Sequence, residues 1–281
     1  MLCGESIDRH ASIFKCFEVW ISFLYILIRL NEADKLLEYY FINLNMKVLQ
    51  LFDRDSYTYT YLLYDNENNA VVIDPVLEKF ERDSFIIESL NFKLHYVIET
   101  HIHADHITSA YLLKRKFESK IAHGNKNVIK GTDILLEDGE ILSVGNLELN
   151  IIHTPGHTAG CISIYSKGYV FTGDTLFIKS AGRTDFQGGS SESSFTSIKD
   201  KLYKLPNDTV VYPAHNYEGI TSSTIYQEKK WNESVNSKTK LNEYIQRELK
   251  KERPYPKKFD IAVPANTYCG DSTKVDEKLK L

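Results

Sequence analysis

The stretch THIHADH, from Thr100 to His106, places three histidines and one aspartate within six consecutive positions. Packing alone rarely brings so many imidazole rings together, because each ring has two nitrogens that need partners. Neutral imidazole and carboxylate groups are the usual protein ligands of zinc, iron and manganese. The stretch therefore indicates a metal site, whose remaining ligands must come from elsewhere in the chain.

Three other polar signatures follow strand-like runs, as THIHADH follows HYVIE. TPGHT follows LNIIH, TGDTLF follows YVF, and PAHNY follows TVVY. Strand ends and the loops beyond them are where a rigid sheet presents reactive groups. A set of this kind suits two neighbouring metals, or one metal whose ligands are fixed by hydrogen-bonding neighbours. The candidates are His101, His103, Asp105, His106, His157, Asp174 and His215.

The remaining histidines and one further aspartate have weaker contexts. Asp74, in the sequence IDP, is typical of a turn at a strand end, and the alternative is a carboxylate that orients a ligand histidine. We interpret the other four histidines as structural or surface residues, with a position near the site as the alternative for the last of them: His10, His95, His123 and His153.

Composition limits the class of protein. The chain has 281 residues, enough for one large domain or two small ones, and a net charge of −4 that gives no global attraction for nucleic acid. No stable membrane association is expected. The four cysteines form no CxxC pair, so a reducing compartment is the default. Four lysines near the C-terminus are interpreted as a solvated helix end and loop: Lys250, Lys251, Lys257 and Lys258.

The first 45 residues differ from the rest of the chain. Their apolar run VWISFLYILI, residues 19–28, is too short to span a bilayer. Acidic residues outnumber Lys and Arg there, and no A-x-A site follows, which argues against both a signal peptide and a transit peptide. Strand-like runs begin directly after Met46. We therefore interpret residues 1–45 as an extension of unknown role and residues 46–281 as the catalytic domain. Our hypothesis is that the functional protein starts at Met46 and does not need the extension.

The secondary-structure pattern alternates strands with helices, which predicts layered α/β structure or sheets covered by helices. Helices are predicted at Phe80–Leu90, Ser109–Phe117, Glu192–Leu205 and, in part, Thr224–Arg247. Strands are predicted at Val48–Phe52, Thr58–Tyr64, Val71–Ile73, Tyr96–Glu99, Leu147–His153, Ile162–Tyr165, Tyr169–Thr172 and Thr209–Tyr212.

The order THxHADH, PGHT, GD and PAH resembles the metallo-β-lactamase superfamily. This resemblance implies an α+β fold, a single-domain four-layer αββα sandwich with its metal site at one edge. Three further stretches resemble the ETHE1-type persulfide dioxygenases within it: GRTDFQG from Gly182, PAHNY with the later STIYQEKKWN, and AVPANTYCG from Ala262. The resemblance runs from about Met46 to about Cys269.

This resemblance implies a single Fe(II) per chain, held by His101, His157 and Asp174. Such a set is a 2-His-1-carboxylate triad, which leaves three coordination positions open. It further implies oxidation of glutathione persulfide by O2 to sulfite and glutathione in sulfide catabolism, by a homodimer. The location implied is mitochondrial or cytoplasmic, since relatives of both kinds are known.

The same resemblance implies roles for the remaining candidates. Arg183 and Tyr217 are expected near the substrate, although an ion pair of Arg183 with Asp185 explains that arginine equally well. We expect Cys269 to be a small buried hydrophobic residue. Four residues would hold no metal and would instead bond water and substrate and fix the ligands: His103, Asp105, His106 and His215.

Two positions depart from the family pattern. Ala181 stands where the family often has cysteine, and Asn216 stands where it often has aspartate. Neither is an expected iron ligand. The missing carboxylate at Asn216 predicts a changed substrate affinity or pH profile and the same reaction class.

Two alternatives remain. The first is a binuclear zinc thioester hydrolase of the glyoxalase II type, in which a metal-bound hydroxide attacks the thioester. Its ligand-type residues are all present, and only GRTDFQG and the C-terminal stretch argue against it. The second is a metal-binding scaffold without catalysis, which has no need for the complete set of site residues.

Overall fold

The first of two six-stranded sheets begins directly after Met46. The computed structural model describes residues 46–126, 129–271 and 273–274, so the interpretations of residues 1–45 and of His10 lie outside the described residues. Strands β1 to β3 are antiparallel, and β3 to β6 are parallel. In spatial order they are β1 (Lys47–Asp53), β2 (Thr58–Tyr64), β3 (Asn69–Ile73), β4 (Lys93–Glu99), β5 (Lys120–Gly124) and β6 (Ile134–Leu136).

The second sheet is antiparallel except where β10 pairs with β13. A two-stranded hairpin follows β10, formed by β11 (Leu176–Phe177) and β12 (Ser180–Ala181). The strands of the second sheet, in spatial order, are β14 (Ser223–Thr224), β13 (Val210–Pro213), β10 (Tyr169–Gly173), β9 (Ile162–Ser166), β8 (Leu147–His153) and β7 (Ile141–Val144).

The described residues contain six α-helices, and those on the two sheets cover their outer faces. Ser190 caps α3, and Thr224 caps α4, each by accepting a hydrogen bond from a backbone N–H of the first turn. A π-helical turn, Ser197–Lys201, and a 3₁₀ turn, Leu202–Lys204, extend α3. The helices are α1 (Phe80–Ser89), α2 (Ala110–Phe117), α3 (Ser191–Thr196), α4 (Ile225–Trp231), α5 (Leu241–Lys250) and α6 (Phe259–Asn266).

Alternation along the strands creates the layers, because successive strand residues face opposite sides of a sheet. In β2, Tyr61 and Leu63 belong to the core between the two sheets, whereas Leu62 packs under the helices α1 and α2. In β10, Phe171 faces the core between the sheets, and Val170 faces the helices on the other side. The result is the expected α+β fold, a four-layer αββα sandwich.

The predicted elements are largely present, with two differences. The region predicted as partly helical at 224–247 is two helices, α4 and α5, separated by residues 232–240. The sequence did not predict β5, β6, β7, β14, the β11–β12 hairpin or α6. Helix α6 contains Pro264, and proline is disfavoured in the interior of a helix. The helix nevertheless forms, with Ala262 and Ala265 buried against Ile107. Tertiary packing therefore overrides the local preference.

All four signatures leave their strands at the same edge of the sandwich. THIHADH follows β4, and the loop with His157 follows β8. Asp174 follows β10, and His215 follows β13. Residues 46–281 form one compact unit. None of the helices in the described part of the chain combines the length and apolar character needed to cross a membrane.

Candidate metal centre

Three histidines direct their Nε2 atoms at the carboxylate of Asp174. The distances to Oδ2 are 3.9 Å from His101 and 3.5 Å from His157, and His215 Nε2 lies 3.4 Å from Oδ1. The ligand atoms of His101, His157 and Asp174 lie within 4.8 Å of one another. The structure therefore brings the three predicted metal ligands together.

In two of these rings Nδ1 donates a hydrogen bond, which leaves the lone pair of the ring on Nε2. His157 Nδ1 donates to the carbonyl of Arg183 at 2.8 Å, and His215 Nδ1 donates to the carbonyl of Tyr57 at 3.0 Å. A carbonyl can only accept, so the proton is on Nδ1 in both rings. Each Nε2 can then bind a metal as a neutral imidazole.

His101 is oriented by a relay from Asp74. Thr100 Oγ1 donates its hydrogen to Asp74 Oδ2 at 2.7 Å. The hydroxyl oxygen of Thr100 can therefore only accept from His101 Nδ1, which lies 3.0 Å away. Burial, reinforced by the neighbouring His103 and His157, holds the pKa of His101 well below its ordinary value. The ring is therefore neutral, and Asp74 lies where the orienting role considered for it requires.

The donor atoms fit a bound cation. Within the described residues, His101 Nε2, His106 Nε2 and Asp174 Oδ1 are buried without a hydrogen-bond partner. Buried polar atoms are almost always paired, because desolvation without a partner is costly. A metal ion held by the triad would satisfy His101 Nε2 and Asp174 Oδ1, and neutral imidazole with carboxylate is a suitable donor set.

His103 is turned away from this point. Its Nε2 lies 3.1 Å from Asp74 Oδ1 and 3.2 Å from Glu99 Oε2, and both carboxylates are buried. Burial alone would lower the pKa of His103, but these carboxylates raise it well above its ordinary value. Its Nδ1 has no hydrogen-bond partner among the described residues. His103 also forms a second group with Asp105 and His106, whose ligand atoms lie within 4.8 Å of one another.

Asp105 links the remaining predicted residues. Its Oδ2 is 2.9 Å from His106 Nδ1 and 3.7 Å from His215 Nε2. Burial alone would raise the pKa of Asp105, but the two histidines lower it well below its ordinary value. Burial alone would also lower the pKa of His215, and the carboxylates of Asp174 and Asp105 raise it instead. All seven candidates of the sequence therefore lie in one cluster.

A cavity of about 440 Å³ opens beside Asp174. Arg183 and Tyr217 line it, as the sequence predicted for substrate contacts. Arg183 also forms a two-pronged pair with Asp185, at 2.7 and 2.8 Å, so the ion pair is present and the substrate contact stays a prediction. Tyr217 stacks parallel to the ring of His215, with 6.1 Å between centroids.

Sequence reasoning missed several residues of the site. Lys251, interpreted as part of a solvated helix end, lines the cavity together with Arg253. Asn266, inside the AVPANTYCG stretch, donates to the carbonyls of His103 and His106 at 2.9 and 2.8 Å and so holds the histidine loop. A polar residue in a run of Ala, Val and Pro was the available signal for Asn266.

The other predictions can be placed as well. His95 bonds Asn69, His123 bonds Thr132, and His153 bonds the carbonyl of Leu136, so all three are structural. Cys269 is buried in the core under α1 and α2, as expected, and burial raises its pKa to about 12.

At the two departures from the family pattern, the structure shows no direct effect on the ligands. Asn216 Oδ1 accepts from the N–H groups of Glu218 and Ile220, so its side chain shapes the turn that follows His215. Ala181 lines the cavity.

Fold and site together define a metal-binding protein built on a four-layer αββα sandwich, with its centre at one edge. A family model for the metallo-beta-lactamase superfamily matches residues 53–133 and 126–215. The chain belongs to the metallo-β-lactamase superfamily.

Individual relatives agree. The chain is 39% identical over 232 residues to the mitochondrial persulfide dioxygenases ETHE1 of Bos taurus and Homo sapiens, covering 80% of this chain and 89% of each relative. The crystal structure of ETHE1 from Myxococcus xanthus matches with a TM-score of 0.77 and 40% identity, covering 80% of this chain and 99% of that one. The hydroxyacylglutathione hydrolase GloC of Haemophilus influenzae is 35% identical over 201 residues, covering 63% of this chain and 92% of GloC. The resemblance to ETHE1-type persulfide dioxygenases is therefore confirmed.

Proposed function

We propose that this protein is an Fe(II)-dependent persulfide dioxygenase acting on glutathione persulfide. The reaction is GSSH + O2 + H2O → GSH + SO3²⁻ + 2H⁺. The sulfane sulfur gives four electrons to O2 and gains both oxygen atoms, and hydrolysis of the S–S bond then releases glutathione and sulfite.

The observation that carries this proposal is the position of the triad beside the cavity. His101, His157 and Asp174 supply two imidazoles and one carboxylate, the set typical of non-haem iron oxygenases. Of these three residues only Asp174 lines the cavity. A metal held by the triad would therefore meet a substrate beside Asp174. Fe(II) would supply the electrons that make O2 reactive, and the chain supplies orientation.

Positive charge at the cavity suits an anionic thiol compound. Lys251 Nζ and Arg253 Nη2 both contact the buried carboxylate of Glu248 at 2.6 Å. Two cations share one anion, so one positive charge is left over for the carboxylates of a glutathione-like substrate. Arg183 adds a guanidinium on the same wall, although Asp185 offsets its charge.

The residues around Asp105 suit the hydrolytic half of the reaction. We assign to His215 Nε2 and Asp105 Oδ2, 3.7 Å apart, the orientation of the attacking water. Asp105 would accept a hydrogen bond from this water, because the neighbouring histidines hold its pKa low and keep it ionised. His103, held by Asp74 and Glu99, would support the ligand loop without binding metal.

A binuclear zinc thioester hydrolase is the second candidate. The group of His103, Asp105 and His106, whose ligand atoms lie within 4.8 Å of one another, favours it, as does the similarity to a hydroxyacylglutathione hydrolase. Metal content distinguishes the two, with one iron per chain for the dioxygenase and two zinc for the hydrolase.

Location and assembly follow the same relatives. The ETHE1 proteins of cattle and human are described as mitochondrial, and we extend this location to the present chain, with the cytoplasm as the alternative. A homodimer remains the prediction for its assembly.

The test is oxygen uptake by anaerobically prepared, Fe(II)-loaded protein when glutathione persulfide is added. Rapid uptake with sulfite as the product supports the dioxygenase. No uptake by protein shown to contain iron rejects it, and hydrolysis of S-lactoylglutathione by zinc-loaded protein then tests the hydrolase.

A further inference from the structure

The β11–β12 hairpin connects two parts of the metal centre. Asp174 lies two residues before its first strand, and Arg183, whose carbonyl accepts from His157 Nδ1, lies two residues after its second. The two ends pack closely, because a Cβ at Gly182 would lie 1.9 Å from the carbonyl oxygen of Asp174. A shift of the hairpin would therefore move one metal ligand and the support of another.

The same hairpin forms a wall of the cavity. Phe177, Ser180 and Ala181 line the cavity beside Asp174. The ring of Phe177 meets the ring of His215 edge-on, with 5.9 Å between centroids. Two-residue strands have little pairing of their own, so the position of this wall depends on what holds the hairpin from outside.

The end of α4 holds the tip of the hairpin. Lys179, at the tip, has a left-handed backbone with φ of 62°. Its N–H donates to Glu228 Oε2 at 2.9 Å, and its carbonyl accepts from the N–H of Glu233 at 2.9 Å. Asn232 Nδ2 donates to the carbonyl of Ser180 at 2.9 Å. Both sides of the tip are thus bonded to one segment.

Glu228 and Asn232 form a buried pair. Both are fully buried, and Asn232 Nδ2 donates to Glu228 Oε2 at 2.8 Å. Asn232 Oδ1 accepts from the N–H groups of Ser234 and Val235, which fixes the pair from the far side. A buried carboxylate is costly, so its placement against a hairpin tip indicates a specific requirement there.

We propose that Glu228 and Asn232 are positioning residues that hold the β11–β12 hairpin and thereby set both the substrate wall and the metal ligands. They belong to the STIYQEKKWN stretch, Ser223–Asn232. The inference rests on the proposed function for its substrate, but the hairpin also acts on the metal centre, which can be observed without turnover.

The test compares Glu228→Ala with Glu228→Gln and with the control Lys230→Ala on the exposed face of α4. Alanine removes the acceptor for Lys179 N–H, whereas the glutamine oxygen can still accept it. The measurements are kcat and KM for glutathione persulfide with Fe(II)-loaded protein, and the visible spectrum of Co(II)-loaded protein. We expect Glu228→Ala to raise KM about tenfold with kcat changed less, and to shift the Co(II) bands. Glutamine and the control should stay within about twofold of the wild type.

A KM within about twofold and an unchanged Co(II) spectrum in folded Glu228→Ala overturn the proposal. If that variant does not fold, Glu228→Leu replaces it, since leucine fills the buried volume while the acceptor for Lys179 N–H is lost. The same two criteria then apply. If the wild type consumes no O2, the proposed function fails, and the Co(II) spectra alone decide whether Glu228 and Asn232 position the centre.

Discussion

The carbonyl of Tyr57 accepts the Nδ1 hydrogen of His215 at 3.0 Å, so a residue of the β1–β2 turn fixes the tautomer of a site histidine. The backbone of Tyr57 is left-handed, with φ of 56°. Its ring lies 5.3 Å from that of Tyr217, which in turn stacks on His215. One strained position therefore supports both the histidine and the aromatic wall at the cavity.

Replacing Tyr57 by Gly and by Ala separates its backbone from its ring. Both variants lose the ring, but only glycine adopts a left-handed backbone without steric cost. We expect Tyr57→Gly to exceed Tyr57→Ala in free energy of unfolding by about 1 kcal/mol, measured by urea denaturation at pH 7. Equal stabilities would show that the turn relaxes to another conformation when the ring is absent.

The relay from Asp74 through Thr100 to His101 predicts a loss of metal affinity in Thr100→Val. Valine keeps the shape of threonine but can neither donate to Asp74 nor accept from His101. Loss of such an orienting bond typically lowers metal affinity about 10–100-fold. Competition with a chromogenic chelator measures the change.

Thr60→Val is the matched control for that experiment. Thr60 is equally buried and donates to the carbonyl of Asp74 at 2.9 Å, without contacting a predicted ligand. We expect it to cost about 1 kcal/mol of stability and to leave metal affinity unchanged. Equal loss of affinity in both variants would attribute the effect to general loosening around Asp74.

The placement of the site was predictable from the sequence, because it depends on local patterns. Strand-like runs, each followed by a polar signature, predicted that these side chains lie at strand ends, and the family resemblance placed the metal site at one edge: His101, His157, Asp174 and His215. The orientation of the rings was not predictable. His103 turns to Glu99 and Asp74 because β3 and β4 are neighbours in the sheet, and neighbours in space are not encoded in spacing along the chain.

The parts that the sequence did not reveal are held by long-range contacts. Helix α6 contains Pro264 and has little helical signal of its own, yet Asn266 at its end bonds the backbone of the histidine loop. Lys251 looked like a solvated lysine, but its pairing with the buried Glu248 places it at the cavity. Such roles depend on which elements pack together.

Asp53 at the start of the β1–β2 turn predicts a pH-dependent contribution to stability. Burial alone would raise its pKa, but hydrogen bonds from Ser56 and Lys79 lower it to about 2 from an ordinary 3.8. A carboxyl whose pKa is lower in the folded than in the unfolded protein stabilises the folded state at pH values above its unfolded pKa. This contribution is lost as the pH falls from about 4 through about 2. We expect Asp53→Asn to cost about 1–2 kcal/mol at pH 7 and progressively less towards pH 2, measured by urea denaturation at each pH.

The control for Asp53 is Asp55→Asn, whose carboxylate lies 3.8 Å from Lys79 but is 78% exposed. Screening by water leaves such an ion pair with little net effect on stability. The free energy of unfolding of Asp55→Asn should therefore equal that of the wild type at every pH. A cost for Asp53→Asn that does not change with pH would assign the effect to packing and contradict the electrostatic explanation.

Asp174 and His215 differ in what their removal should do to the metal. Asp174 is the carboxylate on which His101 and His157 converge, so Asp174→Ala should abolish iron retention and oxygen uptake. His215 faces the other oxygen of Asp174, at 3.4 Å, and in a single-iron centre it orients water and holds no metal. His215→Ala should therefore keep about one iron per chain while its turnover falls by about two orders of magnitude, as expected when a group that positions the attacking water is lost. Elemental analysis after anaerobic loading and desalting, together with oxygen uptake, measures both. If His215→Ala instead loses its metal stoichiometrically, this histidine is a ligand, and the binuclear alternative is favoured.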